Sequence, residues 1–257
     1  MKLFDAHAHL QDARYGHSLP EVVLRAQNAG VARLSCCGSE ESDWDAVAAL
    51  AEQYDWIVPS FGLHPWYVAR RTPEWQKTLE CLLERFPRAG VGEAGLDHKV
   101  DTATFAAQEE CLRIQLALAE KLNRPVSLHC RQAWQGLEEA LSGFSKSSIR
   151  FLVHSFSGSP DMIDVLLKYN AYFSYSCSLT YSGNKPAVRS IARVPLDRLL
   201  LETDSPDLPP CGHEKELNAP ANLTATLHAA SRILNVPADV LAVRTYANAC
   251  AFFGVTE

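Results

Sequence analysis

Eight short apolar runs, each parted from the next by a stretch of helical periodicity, constrain this chain more than any other feature. The runs fall at 3–5, 32–37, 57–62, 89–93, 126–129, 150–154, 171–176 and 199–202. The helical stretches fall at 20–29, 42–54, 73–86, 104–122, 134–142, 160–169, 186–193 and 221–234, with a last one at 238–253. Within 104–122, Cys111, Ile114, Gln115, Leu118 and Leu122 recur along one stripe, the mark of a helix with one buried face. Pro20, Pro73, Pro160 and Pro186 stand where helices would begin, a position that tolerates a missing N–H. Repeated strand–helix units with short connections make parallel strands. Eight of them in 257 residues fit a closed barrel better than an open sheet. The expected fold is α/β, a TIM-like (β/α)8 barrel forming a single domain over residues 1–257.

Charge and cysteine usage narrow the function. The formal net charge of −6 argues against a broad basic surface for nucleic acid. It leaves room for a nuclease, because bound divalent ions supply the positive charge that meets a phosphate. No apolar run approaches the roughly 18 residues of a membrane span, so no membrane association is expected. Asp5 and the histidines interrupt the apolar start at once, unlike an export signal, and a cytoplasmic location is expected. Cys36 and Cys37 are adjacent and the other six cysteines stand alone, with no C-x-x-C pair. Reduced thiols are the expected state. No obligate protein partner is evident.

A barrel of this kind gathers its chemistry at the C-terminal ends of its strands. His7 and His9, one residue apart on an extended segment, point the same way. Alone, such a pair reads better as two polar residues at a strand end. Here Glu93 stands at the mouth of strand four, His129 ends strand five, His154 strand six and Asp204 strand eight. Singly, these read as a loop acid, two satisfied core histidines and a helix cap. Together they read as a metal site. Six ligands exceed one tetrahedral zinc, so two divalent ions per chain are expected, zinc, manganese or magnesium, with Glu93 as bridge. His7, His9, Glu93 and Asp204 would hold one, and Glu93, His129 and His154 the other. Asp5 and Glu202 lie two residues before a ligand, either as partners that orient imidazoles or as buried structural acids.

Around this set, Arg131 shares the face of His129 and is a candidate for binding a substrate phosphate, as is His64; the alternatives are a surface salt bridge for Arg131 and a structural role at the strand end for His64. Trp66, Tyr67, Trp134 and Phe156 flank the mouth, as stacking platforms for bases or as packing beneath the loops. His17, His98, His213 and His228 read as surface residues, and 206–220 as a polar loop over the mouth.

Four motifs add specificity: Gly62-Leu63-His64-Pro65, Gly92-Glu93-Ala94-Gly95-Leu96-Asp97, His154-Ser155-Phe156-Ser157-Gly158-Ser159 and Leu201-Glu202-Thr203-Asp204-Ser205-Pro206. With them the chain closely resembles the TatD-related metal-dependent hydrolases, the TatD DNases, within the amidohydrolase-like superfamily. The resemblance implies a metal-dependent phosphodiesterase or deoxyribonuclease of 3′–5′ exonuclease type. Its substrate would be DNA, as single strands or 3′ ends. The expected chemistry is attack by a metal-activated water, with Asp204 as the catalytic proton acceptor. The alternatives are a small-molecule amidohydrolase or esterase, a D-aminoacyl-tRNA deacylase, and a metal-binding protein without catalysis. The chain departs from the family pattern at Trp66, where a second histidine is usual, at Gln132, at Ala219, and in the bulky residues 170–176. Loss of glycines in that last stretch is expected to narrow the substrate pocket.

Overall fold

Parallel strands need crossover connections, and helices outside the barrel supply them here. A computed structural model describes residues 1–100, 105–144 and 147–256. The strands are β1 (Leu3–Ala8), β2 (Val31–Cys37), β3 (Ile57–Phe61), β4 (Gly90–Asp97), β5 (Val126–Arg131), β6 (Phe151–Val153), β7 (Ala171–Tyr175) and β8 (Leu199–Leu201). They pair in chain order, every pair parallel. Helices α1 (Leu19–Asn28), α2 (Glu41–Gln53), α3 (Trp75–Arg85), α4 (Phe105–Leu122), α5 (Trp134–Ser142), α6 (Pro160–Leu167) and α7 (Lys185–Ile191) connect them. Two more, α8 (Leu223–Leu234) and α9 (Ala238–Phe253), follow β8. The result is a nearly closed TIM-like (β/α)8 barrel. Among the described residues no helix is long and apolar enough to cross a membrane.

No ladder joins β8 to β1 among the described residues, and hydrogen bonds close that seam. At the mouth the His9 N–H donates to the Ser205 carbonyl at 2.7 Å, and the Asp204 N–H donates to that of His7 at 3.0 Å. Below them the N–H and hydroxyl of Thr203 donate to the Asp5 carboxylate at 2.9 and 2.6 Å. Closing the barrel therefore brings the first and last ligand candidates together.

Strand and helix ends differ from expectation where pairing or packing decides them. The strand expected at 89–93 continues to Asp97, because after a bulge β4 pairs with β5 from Ala94–Leu128 to Asp97–Arg131. The helix expected from Pro73 begins at Trp75, after an N-cap at Glu74. That expected to reach 169 ends at Leu167. Residue 104, the expected start of the long helix, lies outside the described residues.

The barrel interior is layered. Asp5, Ser35, Ser174 and Glu202, all buried, form a polar layer two residues below the mouth. At the far end Phe4, Val58, Leu152, Tyr172 and Leu200 meet Phe252 and Phe253 of α9 in an apolar plug. At the mouth, Gly62 is a steric necessity. A Cβ there would lie 2.6 Å from the Gly92 backbone, displacing the segment that carries Glu93. The loop 206–220 borders the mouth: the Asn218 amide donates to the carbonyls of Thr203, Asp207 and Leu208, and Arg14 grips Asp207 through two 2.8 Å bonds.

Candidate metal centre

Glu93 sits at the centre of the mouth, and its two carboxylate oxygens face different neighbours. Oε2 lies 3.2 Å from His7 Nε2 and 3.4 Å from His9 Nε2. Asp204 Oδ1 stands behind these rings, at 3.9 and 3.8 Å. Oε1 lies 2.8 Å from His154 Nε2, 3.0 Å from His129 Nδ1 and 3.2 Å from His64 Nε2. The other five side chains expected as ligands thus gather around this one carboxylate. All but the fully buried His7 border a cavity of about 870 Å³ that is also lined by Trp66, Arg131 and Asp207.

The hydrogen bonds behind each ring show what the centre is built to hold. His9 Nδ1 lies 2.7 Å from the Cys37 carbonyl, which can only accept, so Nδ1 carries the proton. In the neutral ring Nε2 then presents a lone pair to the oxygens of Glu93 and Asp204. Acceptors facing acceptors call for a cation between them. His9 shows the same demand: burial opposes its charge, yet Glu93 and then Asp204 raise the imidazole to about 9. His7 is held differently, with Nδ1 3.4 Å from Cys37 Sγ and its ring stacked 3.9 Å from that of His154. Burial and the His154 charge lower it to about 4. Glu93 stays well below the usual carboxylate range, since the surrounding imidazoles outweigh its burial. Burial pushes Asp204 up. The donor set of imidazoles and carboxylates fits divalent ions.

The two acids of equal spacing part company. Glu202 Oε1 lies 3.5 Å from His154 Nδ1, an ion-pair distance, and it accepts the Ser155 N–H at 2.8 Å. Glu202 also accepts from the Ser174 hydroxyl. Asp5 touches no imidazole nitrogen: its partners are Thr203 and, at 3.4 Å, the His7 backbone N–H. Burial raises its carboxyl to about 8. It ties the seam together.

His64, open to a phosphate-binding or a structural role, lies at the cavity wall with its ring turned inward and only 6% exposed. The Trp66 N–H donates to its Nδ1 at 3.1 Å, which leaves the proton on Nε2 to donate to Glu93. Burial lowers it to about 4, so it serves as a neutral donor. Arg131 is exposed on the cavity wall, with no carboxylate within ion-pair distance among the described residues. Residues 170–176 do not narrow the cavity. Phe173 and Tyr175 pack against Phe156, and the Tyr175 hydroxyl donates to Ser190 on α7. Phe156 is core, Trp134 leans on it, and Trp66 is 49% exposed. His17, His98, His213 and His228 are exposed.

Sequence reading missed Asp97 and Cys37. Asp97 Oδ2 lies 3.2 Å from His129 Nε2 and accepts the Trp66 indole N–H at 2.6 Å. Against the cost of burial, those bonds hold Asp97 well below the usual carboxylate range. Its signal was present, since Asp97 stands four residues after Glu93 in the same motif.

Comparison with known proteins decides the family. The family described as TatD related DNase matches residues 4–254. The chain belongs to the TatD-related DNase family. A solved TatD homologue, YjjV from Escherichia coli, superposes with a TM-score of 0.93 at 30% identity, over 99% of this chain and 98% of that one. The 3′-5′ ssDNA/RNA exonuclease TatD of Edwardsiella piscicida is 30% identical, with 81% of each chain covered. The human deoxyribonuclease TATDN3 is 27% identical, over 98% of this chain and 94% of that protein. This TatD-family member is accordingly an enzyme, a hydrolase.

Proposed function

We propose that this chain is a single-domain, divalent-metal-dependent nuclease that hydrolyses phosphodiester bonds, working from the 3′ ends of single-stranded DNA. One observation carries the reading: each oxygen of Glu93 faces its own group of ligand atoms, as a carboxylate bridging two ions would. In this reading His7, His9 and Asp204 would hold one ion, and His129 and His154 would hold the other. Bound divalent ions supply the positive charge that lowers the pKa of a water and offsets charge on the phosphoryl group.

The remaining work falls to the chain itself. Asp204, its carboxylate 16% exposed toward the cavity, accepts the proton of the attacking water. Arg131 holds a substrate phosphate through its planar fork. His64 donates to Glu93 and keeps that carboxylate in place. The nuclease names of the TatD and TATDN3 relatives support the substrate class. The proposed setting is the cytoplasm, supported by buried thiols such as Cys36 and Cys37.

The test is a substrate panel on enzyme reconstituted with manganese, zinc or magnesium. It comprises a 3′-labelled single-stranded oligonucleotide, a phosphodiester dye, D-aminoacyl-tRNA and simple amides. The expected result is stepwise shortening of the oligonucleotide from its 3′ end, abolished by chelator. Turnover of the ester or amide substrates with an intact oligonucleotide would overturn the reading.

A further inference from the structure

Trp66 occupies a position where the family pattern has a histidine, and two parts of its side chain meet two different surroundings. The indole N–H donates to Asp97 Oδ2 at 2.6 Å, and the same oxygen lies 3.2 Å from His129 Nε2. Asp97 Oδ1 accepts the Lys99 N–H at 2.7 Å, so the fully buried carboxylate is held from both sides. Nδ1 of the same ring lies 3.0 Å from Glu93, so with a cation on that side Asp97 would hold the His129 proton at Nε2 and leave the Nδ1 lone pair toward the centre. The Trp66 ring stands edge-on to His64 at 5.1 Å and to His129 at 6.4 Å. Its outer part lines the open cavity. Of the four aromatics at the mouth it alone is exposed; Phe156 is buried, and Tyr67 and Trp134 are half-buried.

We propose that Trp66 is at once a clamp and a platform: through Asp97 its N–H fixes the His129 ring for metal binding, and its exposed face stacks the terminal base of a single strand. The platform rests on the nuclease reading above; the clamp does not. A histidine at this position would offer a smaller face, so this chain should hold a terminal base more firmly than relatives with the usual residue. Stacking requires no particular base, which suits an enzyme that moves along a strand.

Three variants separate the two roles. Trp66→Phe keeps a flat ring and removes the N–H, Trp66→Leu removes both, and Asp97→Asn weakens the clamp alone. Two quantities are read: manganese bound per chain after dialysis across a concentration series, and affinity for a labelled, phosphorothioate-linked single-stranded oligonucleotide by anisotropy. Trp66→Phe should lose roughly tenfold in manganese affinity, as Asp97→Asn does, while oligonucleotide affinity stays within about twofold. Trp66→Leu should lose roughly tenfold in both. Wild-type manganese affinity in Trp66→Phe overturns the clamp, and wild-type oligonucleotide affinity in Trp66→Leu overturns the platform. Should Trp66→Leu fail to fold, Trp66→Ala, which also lacks ring and N–H, takes its place under the same criteria. The nuclease reading fails by a different sign: wild-type enzyme that loads manganese yet leaves a 3′-labelled oligonucleotide intact.

Discussion

The two sides of Glu93 are built from similar donors but supported in different ways. On the Oε2 side, His9 leans on the backbone carbonyl of Cys37 and His7 on its thiol, while the seam between β1 and β8 sets the position of Asp204. On the Oε1 side, carboxylates stand behind the rings: Asp97 behind His129 and Glu202 behind His154. A carboxylate partner makes an imidazole a stronger ligand than a neutral one does. The side that lacks an acid of its own therefore draws on acids one layer further out. The Oε2 side, which has Asp204 in direct reach, does without them. One side has a single carboxylate in direct reach, and the other has two carboxylates at one remove.

Removing what the two sides share should have the largest effect. Glu93→Gln is expected to lose most bound metal and all measurable turnover, read by elemental analysis and the oligonucleotide assay; retention of full metal content would remove Glu93 as the bridge. Next comes Asp204→Asn, which keeps the shape of the Oε2 side but cannot accept a proton. Its turnover should fall by about 10²–10⁴-fold while metal content largely persists. Wild-type turnover there would take Asp204 out of the mechanism.

The outer acids test the contrast more finely. His129→Ala should lower metal content from about two per chain toward one, emptying the Oε1 side only. Glu202→Gln should weaken metal affinity by about 10–100-fold through His154, with proton transfer at Asp204 less affected. Equal losses at both ions in a titration would show that the sides are not independently supported.

Much of this centre was legible in the sequence because β-structure encodes direction. Spacing of two put His7 beside His9, and the ends of apolar runs marked Glu93, His129, His154 and Asp204. The barrel followed from the same runs. What spacing does not encode is the partner across the barrel. Asp5 and Glu202 each precede a ligand by two residues, yet one meets Thr203 on the neighbouring segment and the other meets His154. Asp97 escaped notice because the strand was ended at Glu93, and only pairing with β5 carries it further. The aromatics at 172–175 looked like obstacles to substrate. A period of two leaves open which face lies inward, and Phe173 and Tyr175 point out toward the helices.

The unladdered seam has a consequence for how the protein comes apart. It is fastened by the very backbone groups of His7, His9 and Asp204, so an ion gripped by those three side chains, as proposed, would act as a rivet across the join. Departure of that cation would then loosen the hoop as well. A chelator should therefore lower resistance to unfolding beginning at this edge, with the opposite staves still in register.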